Sequence, residues 1–118
     1  MQERVAKLTD LKFNLETWRR ELRFHFDEMD TFQDKLEETV GNGLGQGADR
    51  SLENFQNRIM IEKAVISKLK HRCKSQIRNS NYSEHSDESL SADMRTYIKM
   101  HYDLKEEMMD FFSEYLEN

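Results

Sequence analysis

Apolar residues recur every three and four positions along most of the chain, which is the spacing of amphipathic helices. In the first segment the a positions of a heptad are Leu8, Leu15, Leu22, Met29 and Leu36, and the d positions are Leu11, Trp18, His25, Phe32 and Thr39. In the second, a is Leu52, Ile59, Ile66 and Cys73, and d is Phe55, Glu62, Leu69 and Gln76. In the third, a is Met94, His101, Met108 and Tyr115, and d is Leu90, Tyr97, Leu104 and Phe111. Such sustained heptads predict left-handed packing of long helices.

Two short segments interrupt the pattern. All four glycines lie within residues 41–47, where they disfavour a helix; Gly41 is expected to end one helix and Asp49 or Ser51 to cap the next. The second break is Asn-Ser-Asn-Tyr-Ser at 79–83. The predicted helices are about 3–40, 49–79 and 85–117. Because both connections are short, the prediction is an all-α, antiparallel up-down-up three-helix bundle that forms a single domain over 1–118.

Composition narrows the class of protein. The chain has 118 residues, no Pro, one Cys, 35% charged residues and a formal net charge of -5. One thiol cannot build a disulfide framework, and we find neither a membrane-length apolar stretch nor a secretory leader. We therefore expect a cytoplasmic protein with no membrane partner.

Three polar residues, His25, Glu62 and His101, stand at core positions of the three helices. If paired residue numbers add to about 88 across the first turn and 165 across the second, the three share one layer. Three interpretations remain open: a polar layer that specifies register, a Glu62 that leans to the rim beside separately stacked histidines, or a two-histidine, one-carboxylate metal site. The glycine turn lacks the Lys-Ser/Thr of a phosphate loop, and we find no catalytic motif. We expect no enzyme activity and no cofactor.

Charge is distributed unevenly. Residues 50–78 carry eight Lys and Arg against two Glu, whereas residues 84–118 carry three against ten acids. The simplest interpretation is attraction between helices. A basic stripe could also bind a nucleic-acid backbone, although the net acidity of the chain argues against it; the candidates are Lys68, Lys70, Arg72, Lys74 and Arg78.

The chain has more apolar residues than one bundle seam needs. Those on outward faces are Phe13, Phe24, Tyr102, Met109 and Leu116. Aligned apolar stripes are typical of contact with another chain. We expect a homo-oligomer or binding to another helical protein.

The segment WRRELRF at 18–24, followed by Phe32, LEE at 36–38, ENFQN at 53–57 and LKH at 69–71, resembles a family of small, uncharacterised bacterial helical proteins over about residues 8–78. That resemblance implies a fold and no reaction. The helix lengths and a Trp on the first helix are also similar to a spectrin-type repeat. The leading hypothesis is a non-enzymatic, self-associating interaction or scaffold module. The alternatives are metal binding by the histidine–glutamate layer and nucleic-acid binding by the basic end of the second helix.

Overall fold

The described part of the chain consists of three helices. In this computed structural model they are α1 (Gln2–Gly41), α2 (Gln46–Arg78) and α3 (Glu84–Leu116). The structure describes the backbone of these helices and the side chains of residues 14–39, 48–78 and 88–114. The prediction of an all-α three-helix bundle is confirmed, since α1 packs against α2 and α2 packs against α3.

The start of α2 differs from the prediction. The helix begins before Gly47 and places Asp49 in its first turn, so the prediction that Asp49 or Ser51 caps it is wrong. A single glycine costs a helix only about 1 kcal/mol, and the extension carries Ala48 into the core, where it is buried. Asp49 still stabilises the helix because its charge complements the positive end of the helix dipole.

Cross-helix ion pairs define the register between α2 and α3. Arg58 contacts Glu107, and Arg72 contacts Asp93. In both pairs the two residue numbers add to 165, as predicted, which means that the two helices are antiparallel. Lys63 of α2 contacts Asp30 of α1, and Arg19 of α1 lies near Cys73 of α2. These residue numbers add to 93 and 92, so α1 and α2 are antiparallel, with a register about five residues away from the predicted sum of 88. The topology is therefore up-down-up, with α1 and α3 parallel.

Core side chains come from the predicted a and d positions. Among the described residues all of these positions are buried except Trp18, Phe32 and Gln76, which are partly buried. The buried residues form two apolar clusters. The upper cluster contains Met29, Leu36, Ala48, Leu52, Phe55, Ile59, Leu104, Met108, Phe111 and Phe112. The lower cluster contains Leu15, Leu22, Ile66, Leu69, Cys73, Leu90, Met94 and Tyr97.

The molecule is a rod of 63 × 20 × 19 Å. Where α1 and α3 meet, the rings of Phe32 and Phe112 stack with centroids 6.2 Å apart, and Lys105 donates to Glu28. Along the described helices, no segment combines the length and apolar character that crossing a membrane requires.

Candidate functional site

A polar layer separates the two apolar clusters and takes one residue from each helix. His25, Glu62 and His101 are 6%, 0% and 0% exposed. The His101 ring stacks on the His25 ring, with centroids 3.8 Å apart and planes within 4°. His101 Nδ1 lies 2.9 Å from Glu62 Oε2. The structure therefore brings together the three residues that the seam pattern selected, and Glu62 does not lean to the rim.

Two further side chains complete the layer. His25 Nδ1 shares a hydrogen bond of 2.9 Å with the Tyr97 hydroxyl. Glu28 Oε1 lies 3.4 Å from His101 Nε2, and Glu28 Oε2 accepts a hydrogen bond of 2.6 Å from Lys105. Tyr97 was predicted as a core position of the third helix, but neither it nor Glu28 was predicted to belong to the polar layer. A signal for Glu28 existed, because it follows His25 by three residues and so lies one helical turn away on the same face.

Some polar atoms of the layer have no hydrogen-bond partner. When Glu62 is ionised its carboxylate only accepts, so His101 Nδ1 then carries the hydrogen of this bond. Among the described residues, His101 Nε2 and Glu62 Oε1 are buried and find no partner. Each such atom costs about 1–3 kcal/mol. A water molecule, a proton or a bound ion would satisfy these atoms.

Burial determines the electrostatics of the layer. Burial lowers the pKa of His25 below the usual 6.5, and a positive charge on neighbouring His101 lowers it further. The negative charges of the surrounding carboxylates raise this pKa but do not cancel the shift. Burial also raises the pKa of Tyr97, and the negative charges of Glu62 and Glu28 add to that shift. Tyr97 is therefore a neutral hydrogen-bonding hydroxyl at all physiological pH values.

The predicted partner-binding residues lie on the outside of the bundle where they are described. Phe24, Tyr102 and Met109 are 63%, 56% and 56% exposed. The rings of Phe24 and Tyr102 lie 6.3 and 6.2 Å from that of His25, and Tyr102 and Met109 are one heptad apart on α3. These three residues form one surface across α1 and α3, named here the α1/α3 face. The side chains of Phe13 and Leu116 lie outside the described residues.

The predicted nucleic-acid residues do not share one surface. Arg72 points toward α3, where it pairs with Asp93, whereas Lys70 points toward α1 and lines a cavity there. At 3.6 residues per turn, Lys74 and Arg78 lie on the same side of α2 as Lys70, whereas Lys68 lies on the same side as Arg72. The single basic stripe is therefore divided between two faces of α2.

A basic cluster that the sequence analysis missed lies beside Lys70. Arg19, Arg20 and Arg23 of α1 line the same cavity of about 300 Å³, with one acid, Glu16. The net charge of α1 is negative because acids elsewhere in the helix outnumber these arginines, so the net charge gave no sign of a basic cluster. The antiparallel packing of α1 on α2 brings the four cations together.

The single cysteine is part of the lower cluster. Cys73 is a free, buried thiol. Burial raises its pKa to about 11, against the opposing effect of Arg19 and Arg72. Since the thiolate is the reactive form, this thiol is inert at neutral pH, in agreement with its position in the seam.

Comparison of the chain with models of known protein families, with curated proteins and with solved structures finds no match. The resemblance to small bacterial helical proteins and to a spectrin-type repeat stays a prediction.

Proposed function

We propose that this protein is a non-enzymatic helical interaction module that self-associates through the α1/α3 face. The observation that carries the proposal is the alignment of Phe24, Tyr102 and Met109 on one side of the rod, each more than half exposed. Single exposed apolar residues are common on protein surfaces. An aligned group on two adjacent helices is typical of a surface that another chain covers.

Charge favours a second copy of this chain as the partner. On α3, the exposed cations Arg95 and Lys99 lie within about 60° of Tyr102 around the helix axis. On α1, the exposed acids Glu21 and Asp27 lie similarly close to Phe24. In a two-fold symmetric dimer whose axis runs along the rods, α1 of one copy meets α3 of the other. Glu21 and Asp27 of each α1 then face Arg95 and Lys99 of the opposite α3, although the exposed Arg20 of α1 and Glu106 of α3 share the same rims.

The available area is sufficient for a stable dimer. A standard interface buries roughly 800 Å² on each partner. One long side of the rod measures 63 by about 20 Å, which exceeds that area. Phe24 and Tyr102 would form the centre of the interface, since large aromatic side chains contribute most of the binding energy at such surfaces.

Sedimentation analysis tests the proposal. We expect the wild type to be a dimer at tens of micromolar protein, and Phe24→Glu/Met109→Glu to be a monomer, because each introduced carboxylate would be desolvated in the interface. Circular dichroism of the variant checks that the helices are intact. The sites are exposed, so the monomer should fold.

The matched control is Met60→Glu/Ile61→Glu. These residues are equally exposed, at 67% and 59%, but lie on α2, outside the α1/α3 face. The control is expected to remain a dimer. A wild type that is monomeric at several hundred micromolar, or a control that dissociates as fully as the Phe24 variant, would contradict the proposal.

A further inference from the structure

We propose that the polar layer binds a divalent transition-metal ion of the Zn²⁺ class through His25, Glu28 and His101, with Glu62 as the residue that orients His101. This assignment differs from the sequence-based metal hypothesis, which had Glu62 as a ligand. All three ligands belong to one chain, so the site does not require self-association, although its entrance lies beside the α1/α3 face.

Three donor atoms of the polar layer lie close enough together to bind one metal ion. One nitrogen of His25, one nitrogen of His101 and one carboxylate oxygen of Glu28 lie within 4.8 Å of one another. Zinc–nitrogen and zinc–oxygen bonds of about 2.0–2.2 Å place the ligand atoms of a tetrahedral site roughly 3.3 Å apart. His101 Nε2 and Glu28 Oε1 are 3.4 Å apart, which fits such a pair.

The buried Nε2 of His101 makes no hydrogen bond among the described residues. His101 is fully buried, and its Nδ1 hydrogen is directed at Glu62. When Nε2 carries no proton it presents a lone pair, which finds no hydrogen-bond partner among the described residues and lies near the carboxylate of Glu28. Two electron-rich atoms at this distance repel unless a cation lies between them. Either a proton or a metal ion supplies that cation at the same position, so metal binding there would displace a proton.

Each histidine of the proposed site has a hydrogen-bonding group at its other ring nitrogen. A histidine that binds metal usually donates its other ring N–H to a carboxylate or another acceptor, which determines its tautomer and orientation. Glu62 is the hydrogen-bond partner of His101 Nδ1, and the Tyr97 hydroxyl is the partner of His25 Nδ1. Imidazole nitrogens combined with a carboxylate oxygen suit zinc, cobalt and related ions.

Two features of the site shape its expected behaviour. The histidine rings are parallel, so their lone pairs converge on one ion only after the His25 ring tilts. Lys105 donates to the other oxygen of Glu28, and its positive charge opposes a metal ion. Glu28 and Lys105 are 19% and 30% exposed, so an ion enters from the surface between α1 and α3.

Cobalt titration of chelator-treated protein tests the site, because tetrahedral Co²⁺ gives intense visible absorption. The wild type is expected to bind one Co²⁺ per chain and to release it to Zn²⁺. Glu28→Gln should weaken binding by at least about tenfold. Lys105→Met should tighten it roughly three- to tenfold, since a nearby positive charge is removed. An increase in affinity is not expected if Lys105 is only structural.

The matched control is His71→Ala/His85→Ala, which removes the other two histidines of the chain and is expected to bind cobalt as the wild type does. Glu28 and Lys105 are partly exposed, so their variants should fold even if His101→Ala does not. The titration is repeated at a protein concentration low enough for the wild type to sediment as a monomer, which separates this result from self-association. Absence of cobalt absorption and of zinc binding by calorimetry at millimolar metal, or loss of binding in the control, would overturn the proposal.

Discussion

The two apolar clusters and the polar layer between them are held together in different ways. In the lower cluster, Leu22, Ile66 and Met94 are at most 1% exposed and are stabilised by removal from water, which depends little on direction. In the polar layer, His101 and Glu62 are equally buried but are stabilised by one specific hydrogen bond. The apolar clusters therefore supply stability, whereas the layer supplies geometry and contains two polar atoms that make no hydrogen bond among the described side chains.

The largest effect is expected in the apolar cluster. Leu22→Ala should lower the free energy of unfolding by about 2–5 kcal/mol, because it removes buried methyl groups and leaves a cavity. Urea denaturation measures this loss. The exposed control Met60→Ala should change stability by less than about 0.5 kcal/mol. A Leu22→Ala loss as small as that of the control would mean that the cluster is not well packed.

The second effect distinguishes the polar layer from an apolar one. Glu62→Leu should cost about 1–3 kcal/mol, because the Nδ1 hydrogen of His101 loses its buried acceptor. Replacing His25, Glu62 and His101 together by Leu should recover that loss or exceed it, since apolar layers often stabilise more than buried polar ones. Denaturation of both variants makes the comparison. A triple variant that fails to fold would show that the layer is required for the native packing.

The smallest effect is a pH dependence of the metal-free protein. The pKa of folded His25 lies below 6.5, mainly because of burial and next because of His101. Below pH 6.5 the unfolded chain therefore binds a proton that the folded chain does not, and stability falls. The loss is complete below the folded pKa and absent well above 6.5. The carboxylates that oppose this shift are those of Glu28, Glu62 and Glu21.

Melting temperatures in the presence of chelator check this dependence. The wild type should lose stability between pH 7 and pH 5 more steeply than His25→Asn, which has no titrating group at this position. A wild type that becomes more stable than the variant as the pH falls would mean that the folded protein favours the charged form of His25.

Sequence reasoning succeeded for the features that depend on helical period. The a and d positions predicted nearly all the described core, because a residue's angle around a helix follows from its number. The number sum of 165 placed Glu62 opposite His101, because two rods joined by a short turn have little freedom to slide. The start of α2 was less predictable, since the burial of Ala48 outweighs the local preference of Gly47.

The sequence by itself determined three helices, their antiparallel order and the presence of imidazole and carboxylate groups at one height in the core. These follow from periodicity and from short connections. Only the tertiary structure decided that Glu62 holds the far side of His101 while Glu28 approaches its free nitrogen, and that Arg19, Arg20 and Arg23 join Lys70. The reason is that such contacts depend on the rotation of each helix about its axis and on side-chain rotamers, which the packing of all three helices selects together.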